Sequence, residues 1–119
     1  MRQSVRPTKR TSRSGELTEF CPRFHHAVEL IGRRWTGAIV RALIAGPRRF
    51  NELLGIVPGL SDRLLSERLR ELEAEGLVRR EVLCGPPVSV HYELTRSGRG
   101  LQPAIEAVAK WAERWLPAR

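Results

Sequence analysis

The chain has 119 residues, enough for one domain that buries a core without staples. Its 21 Lys+Arg against 13 Asp+Glu give a formal net charge of +8, which favours a polyanionic partner, nucleic acid above all. Two cysteines, Cys21 and Cys84, with no CxxC pair and no histidine at ligand spacing, exclude a disulfide framework and a zinc ribbon.

The charge is unevenly spread. Residues 1–14 hold Arg2, Arg6, Lys9, Arg10 and Arg13 and no acid, so they carry +5 and the rest of the chain only +3. Arginine, serine and threonine without large apolar side chains predict a disordered basic tail over 1–19. An arm that touches DNA phosphates is the other reading. The segment lacks the apolar core of roughly 7–15 residues that a secretory leader needs. Nothing later approaches the roughly 18 continuous apolar residues of a membrane span. A cytoplasmic protein with both thiols reduced, and no membrane partner, is expected.

The folded domain is expected over 20–117. Phe24, Val28 and Ile31 sit at helical spacing and predict a short amphipathic helix over Pro22–Ile31, interrupted by Gly32. A second helix is predicted from Trp35 to Ala45, with Ile39, Ala42 and Leu43 on its apolar face and Gly46-Pro47 as its stop. A third runs from Phe50 to Ile56, entered through Arg49 and Asn51, and Val57-Pro58-Gly59 makes a turn.

Residues 61–75 form the most legible element. Ser61 is a good N-cap, and Asp62 adds negative charge at the positive helix end. Leu64, Leu65, Leu69 and Leu72 fall on one side at 100° per residue, and Arg63, Ser66, Glu67 and Arg70 on the other. Gly76 provides a left-handed stop. The period then changes. Val78–Cys84 leads into Gly85-Pro86-Pro87, and Val88–Thr95 alternates apolar and polar residues, a half-buried strand. The two strands make a hairpin. A single last helix is predicted over Arg96–Leu116, with Leu101, Ile105, Val108, Trp111, Ala112 and Trp115 on one stripe and Pro103 early in it.

A short helix, a tight turn, a second helix with a polar outer face and then a hairpin is the winged helix-turn-helix order. The fold class is therefore mainly α with a small β-hairpin wing. An α-helix fits the major groove, and a wing reaches the neighbouring backbone or minor groove. The polar face of helix 61–75 can offer Arg63, Ser66, Glu67 and Arg70 to bases or phosphates. Alternatively it is a solvated face laced with pairs such as Arg63–Glu67 and Glu67–Arg70. Arg34, and Arg48-Arg49 with Asn51 at the third helix, are candidate phosphate contacts at helix starts, and Arg49 equally suits a buried ion pair. Arg68, at the border of the leucine face, reads as structural, with Glu52 as its expected partner.

Cys21-Pro22 ahead of a helix, "LIGRRW" at 30–35, "GPRRFNEL" at 46–53, "PGLSDRLLSERLRELEAEGLV" at 58–78 and "VHYELTRSGRGL" at 90–101 together resemble the HxlR family of winged-helix transcription regulators. The resemblance covers about residues 20–115. It implies a homodimeric regulator of double-stranded operator DNA whose first and last helices form the dimer contact. The residues it carries over to DNA are Ser61, Arg63, Ser66 and Arg70, with Arg79 and the tip 85–89, Ser89 included, as wing. Asp62 stands where the family commonly has glutamine, so the operator sequence does not transfer. His91, in Val-His-Tyr where Val-Glu-Tyr is usual, reads as an outer-face strand residue.

Two further expectations concern assembly and control. A terminal stripe with two tryptophans exposes more apolar surface than a small core needs, which argues for a dimer through Phe24, Val28, Leu101, Ile105, Val108, Trp111 and Trp115. The alternative is a helix that only caps its own domain. In some members of the family the cysteine matching Cys21 answers oxidants, quinones or aldehydes. A helix start beside Pro22 and Arg23 suits a reactive thiol, while a small buried side chain is the plain reading. A Cys21–Cys84 disulfide is not expected, nor a shared metal site at His25-His26. The sequence has no phosphate loop, nucleophile elbow or carboxylate pair, so no catalytic residue, cofactor or enzyme is expected. The rivals to a repressor are a protein-interaction winged helix and a regulator with a small-molecule effector near Trp35, Trp111 and Trp115.

Overall fold

Leucine spacing decides the centre of the molecule. In a computed structural model that describes residues 19–118, helix α4 (Asp62–Ala74) buries Leu65, Leu69 and Leu72 almost completely. Its sequence has no proline or glycine, and full burial of each leucine contributes about 1.5–3 kcal/mol. The other elements in chain order are α1 (Pro22–Ile31), α2 (Thr36–Ile44), β1 (Arg48–Arg49), α3 (Phe50–Ile56), β2 (Val78–Leu83), β3 (Ser89–Leu94), α5 (Arg96–Arg99) and α6 (Gln102–Trp115). The tail expected over 1–19 lies outside the described residues apart from Glu19. The chain divides into two units: Met1–Ile31, which carries α1, and Gly32–Arg119, which carries every other element.

The core belongs to the second unit. Ile39, Val40 and Leu43 of α2, Leu53 of α3, and Val57 and Leu60 of the turn meet the α4 leucines, with Val78 and Leu94 closing the cluster from the sheet. Trp35, Phe50, Tyr92, Leu101 and Ile105 pack partly buried around it.

The hairpin is part of a larger sheet than expected. β1 pairs antiparallel with β3 through Arg48↔Tyr92 and Arg49↔His91, so the order is β1-β3-β2 with three strands, not two. Its half-buried alternation is also less complete than predicted. Leu94 is buried, but Val88 is 67% exposed and lies outside β3, because the outer end of the hairpin extends past the core.

The root of the hairpin is held on both sides. The Thr95 hydroxyl donates to the Gly76 carbonyl at 2.6 Å and Ser97 Oγ to the same oxygen at 3.0 Å. Gly76 takes the left-handed φ of 78° its position requires. Gly98 sits so close to the Leu77 carbonyl that a Cβ there would lie 2.1 Å from it.

The last helix is two helices, which corrects the single one expected. α5 ends at Gly100, whose N–H turns back to Arg96 and Ser97, and α6 begins at Gln102 with Pro103 in its first turn, where a missing N–H costs nothing. Helix α2 starts one residue later than predicted, because Trp35 takes a left-handed backbone with φ 77°. For a bulky residue that conformation costs of order 1–3 kcal/mol.

Candidate nucleic-acid interface

Ser61 fixes where α4 begins. Its hydroxyl oxygen accepts the Leu64 N–H at 3.1 Å, a cap worth about 1 kcal/mol. The hydroxyl proton stays free to donate to a phosphate oxygen. Asp62 occupies the first turn.

With the leucines turned inward, Arg63, Ser66, Glu67 and Arg70 form a stripe on the opposite side at spacings of three and four. Arg63 is almost wholly exposed, its Nε 3.5 Å from Glu67 Oε2. Arg70 is exposed and makes no ion pair with any described residue, so the Glu67–Arg70 pair of the alternative, solvated-face reading does not form. The face is a partly neutralised but net cationic stripe on the helix that follows the α3–turn.

Arg49 and Asn51 are both exposed at the start of α3. Glu52 Oε1 accepts the Arg49 backbone N–H at 2.7 Å and leaves the guanidinium unpaired. The buried ion pair considered for Arg49 is therefore not formed. Arg34 is exposed in the turn before α2, with its guanidinium 5.0 Å over the Trp35 ring. On the hairpin, Arg79 forms an ion pair with Glu93, its cross-strand partner. Ser89 Oγ lies 3.3 Å from His91 Nε2.

Sequence reasoning took Arg68 as structural, which it is, but gave it the wrong partner. Its Nη1 meets Glu71 Oε2 at 3.1 Å and its Nε donates to the Arg34 carbonyl at 3.0 Å. Glu52 is occupied with the Arg49 backbone instead. It also missed Arg80, which is exposed and unpaired among the described residues. Adjacent strand residues face opposite sides, so Arg79 and Arg80 cannot share one role, and that period was available as a signal.

The residues expected at a dimer contact separate into two groups. On α6, Val108, Trp111 and Trp115 are 65%, 54% and 61% exposed on one stripe. Leu101 and Ile105, by contrast, pack against the protein's own core. On α1, Phe24 and Val28 are exposed. Cys21 is exposed at the start of α1, and its sulfur accepts the Phe24 N–H at 3.4 Å. Cys84 is exposed as well, and both thiols are free.

Among the described residues no group of three or more His, Cys, Asp or Glu is placed to hold a metal ion. No helix among them is long and apolar enough to cross a membrane.

Comparison with known proteins supplies the family. The HxlR-like helix-turn-helix profile matches residues 30–119. The chain is 46% identical over 99 residues to the uncharacterized HTH-type transcriptional regulator YvaP of Bacillus subtilis, which covers 83% of this chain and 92% of that one. It resembles quinone-bound YodB from B. subtilis at 38% identity and TM-score 0.71, over 81% of this chain and all of the other. The redox regulator HypR in its oxidized form matches at 39% identity and TM-score 0.76, over 82% of this chain and all of HypR. The chain belongs to the HxlR-like helix-turn-helix family: it is a winged-helix, DNA-binding transcriptional regulator and not an enzyme.

Proposed function

We propose that the protein is a repressor that reads a two-fold operator as a homodimer, with α4 of each copy in the major groove. The observation that carries this reading is the stripe Arg63–Ser66–Glu67–Arg70, with both arginines exposed and Ser66 and Glu67 half-buried, backed by three buried leucines and followed by a wing. Arginine donates bidentately to guanine, serine to a base or phosphate, and a rigid helix holds both in register. Ser61, Arg34, Arg49, Asn51, Arg79 and Ser89 contact the backbone around it. Residues 20–117 act as the winged-helix domain, with α6 as the dimerisation helix. The exposed stripe of Val108, Trp111 and Trp115 supports that role, and Phe24 and Val28, exposed on α1, are further candidates for contact with the partner copy. The protein acts in the cytoplasm, and residues 1–19 are a basic tail.

Control lies at Cys21. Its exposure and its place at the positive end of α1, with sulfur bonded to the Phe24 N–H, suit oxidation or attack on a small electrophile. The likeness to quinone-bound YodB and oxidized HypR supports it.

The test is fluorescence anisotropy on the duplex upstream of the protein's own gene against a scrambled duplex, across salt, reduced and then oxidised. Selective, steeply salt-dependent binding that is lost on oxidation and kept in Cys21→Ser is expected. Equal, feeble binding to both duplexes would remove that site as an operator. Oxidation sensitivity that persists in Cys21→Ser would remove the sensor.

A further inference from the structure

The second unit contains a cleft that the DNA-reading surface does not use. It lies between α2, β1 and the turn after α3 and has a volume of about 440 Å³. That is within the roughly 300–1,000 Å³ of small-molecule sites. Ala38, Ala42, Ile56 and Pro58 give it apolar walls, and Ile56 is left 44% exposed.

Two guanidiniums and an indole ring stand on this apolar lining. Arg41 is exposed and makes no ion pair with any described residue. Arg48 donates its Nε to the Ala42 carbonyl at 3.4 Å, which anchors the side chain and leaves its terminal nitrogens free. Trp35 also lines the cleft, and its indole Nε1 is buried with no hydrogen-bond partner. A buried donor without an acceptor is rare and costly. The indole is also firmly placed: the Arg34 guanidinium lies over its ring, and a Cβ on Gly59 would come within 3.3 Å of its far edge.

No carboxylate lines the cleft. Glu113 shares a neighbouring cleft with Arg41 but is not paired with it. The local charge is therefore positive. Trp35 adds a left-handed backbone, and strain in a bulky residue collects where a ligand is clamped.

From these groups we infer that the cleft binds a small organic monoanion, a carboxylate carried on a flat apolar body. The body lies on the alanine, isoleucine and proline walls. The carboxylate accepts from the guanidinium of Arg41 or Arg48, a charge-assisted bond stronger than a neutral one, while the Trp35 ring lines the cleft beside it. Neither the operator nor Cys21 enters this inference.

The test is a two-dimensional proton–nitrogen spectrum of the full chain, titrated with 2-naphthoate. The chain has three tryptophans, and their indole signals are assigned by Trp111→Phe and Trp115→Phe, both at exposed positions. Saturable movement of the Trp35 indole signal, with the other two still, is expected. Arg41→Gln, also at an exposed position, should weaken the affinity about tenfold, as should replacing the probe by uncharged 2-naphthylmethanol. No saturable shift of the Trp35 signal up to millimolar probe would overturn the inference. So would movement of Trp111 and Trp115 in its place, or equal affinity for the acid and the alcohol.

Discussion

The Arg33 guanidinium donates to the Glu71 carboxylate at 3.0 Å, joining the turn before α2 to the middle of α4. The same oxygen takes Arg68 Nη1 at 3.1 Å, and Arg68 Nε holds the Arg34 carbonyl at 3.0 Å. One carboxylate thus ties two arginines and a length of backbone to the helix that carries the proposed DNA-reading stripe.

Removing that carboxylate should be felt as stability. In Glu71→Ala, the Arg68 side chain, only 15% exposed, keeps its bond to the Arg34 carbonyl, but its nearest carboxylate is then Glu67 at 3.9 Å. The expected loss is about 1–3 kcal/mol, most of it from Arg68, since the half-exposed Arg33 pair is screened. Urea unfolding should show a smaller loss for Glu52→Ala, which removes one exposed cap bond. Equal losses would mean that the Arg68 cluster is no more than surface charge.

Gly98→Ala should be among the most damaging single-methyl changes in the chain. The new Cβ would meet the Leu77 carbonyl at 2.1 Å and Leu94 Cδ2 at 3.1 Å, both at the foot of the sheet. Relief requires α5 to move off Leu77 and β3, at a cost of about 1–3 kcal/mol or more. Gly55→Ala makes the control, because nothing lies within 4 Å of its added carbon. A melting temperature lowered in the first variant and held in the second is the expected result.

On DNA, Arg70 and Arg79 should separate. Arg70→Ala removes an unpaired cation, and a plot of log affinity against log salt should flatten by about 0.9 for one lost phosphate contact. Arg79→Ala should change the slope less, because Glu93 already holds that guanidinium. Anisotropy titrations at several salt concentrations read both. A larger change for Arg79 would move the main phosphate contact to the wing.

Trp111→Glu should leave the fold intact and break the proposed dimer. The side chain is more than half exposed, so the core loses little, while a charge enters the apolar stripe. Sedimentation should give half the parent's mass, with operator affinity falling alongside. A parent already monomeric at micromolar concentration would refute the dimer.

Local chemistry made much of this fold legible. Ser61, the leucine spacing and Gly76 each act within a turn of their own position, so α4 was bounded to within a residue. What stayed hidden depends on distant partners. β1 exists because Arg48 and Arg49 find Tyr92 and His91 more than forty positions away, and two arginines carry no strand period. The close approach of Gly98 to the Leu77 carbonyl likewise depends on a partner far along the chain. Arg68 chose Glu71 over Glu52, a choice made by three-dimensional distance alone. On the candidate interface, composition located the arginines but not their counter-ions, so Arg79 and Arg70 looked alike until Glu93 was in place.

The sheet is clamped at one end only. Thr95 and Ser97 on the Gly76 carbonyl, with Val78 and Leu94 in the core, fix the foot of the hairpin, and from Arg79 to Val88 nothing is buried. The hairpin is a cantilever. Its free end can be lengthened, shortened or recharged without disturbing the packing beneath it, so in this chain the reach of the wing can change while the melting point stays where it is.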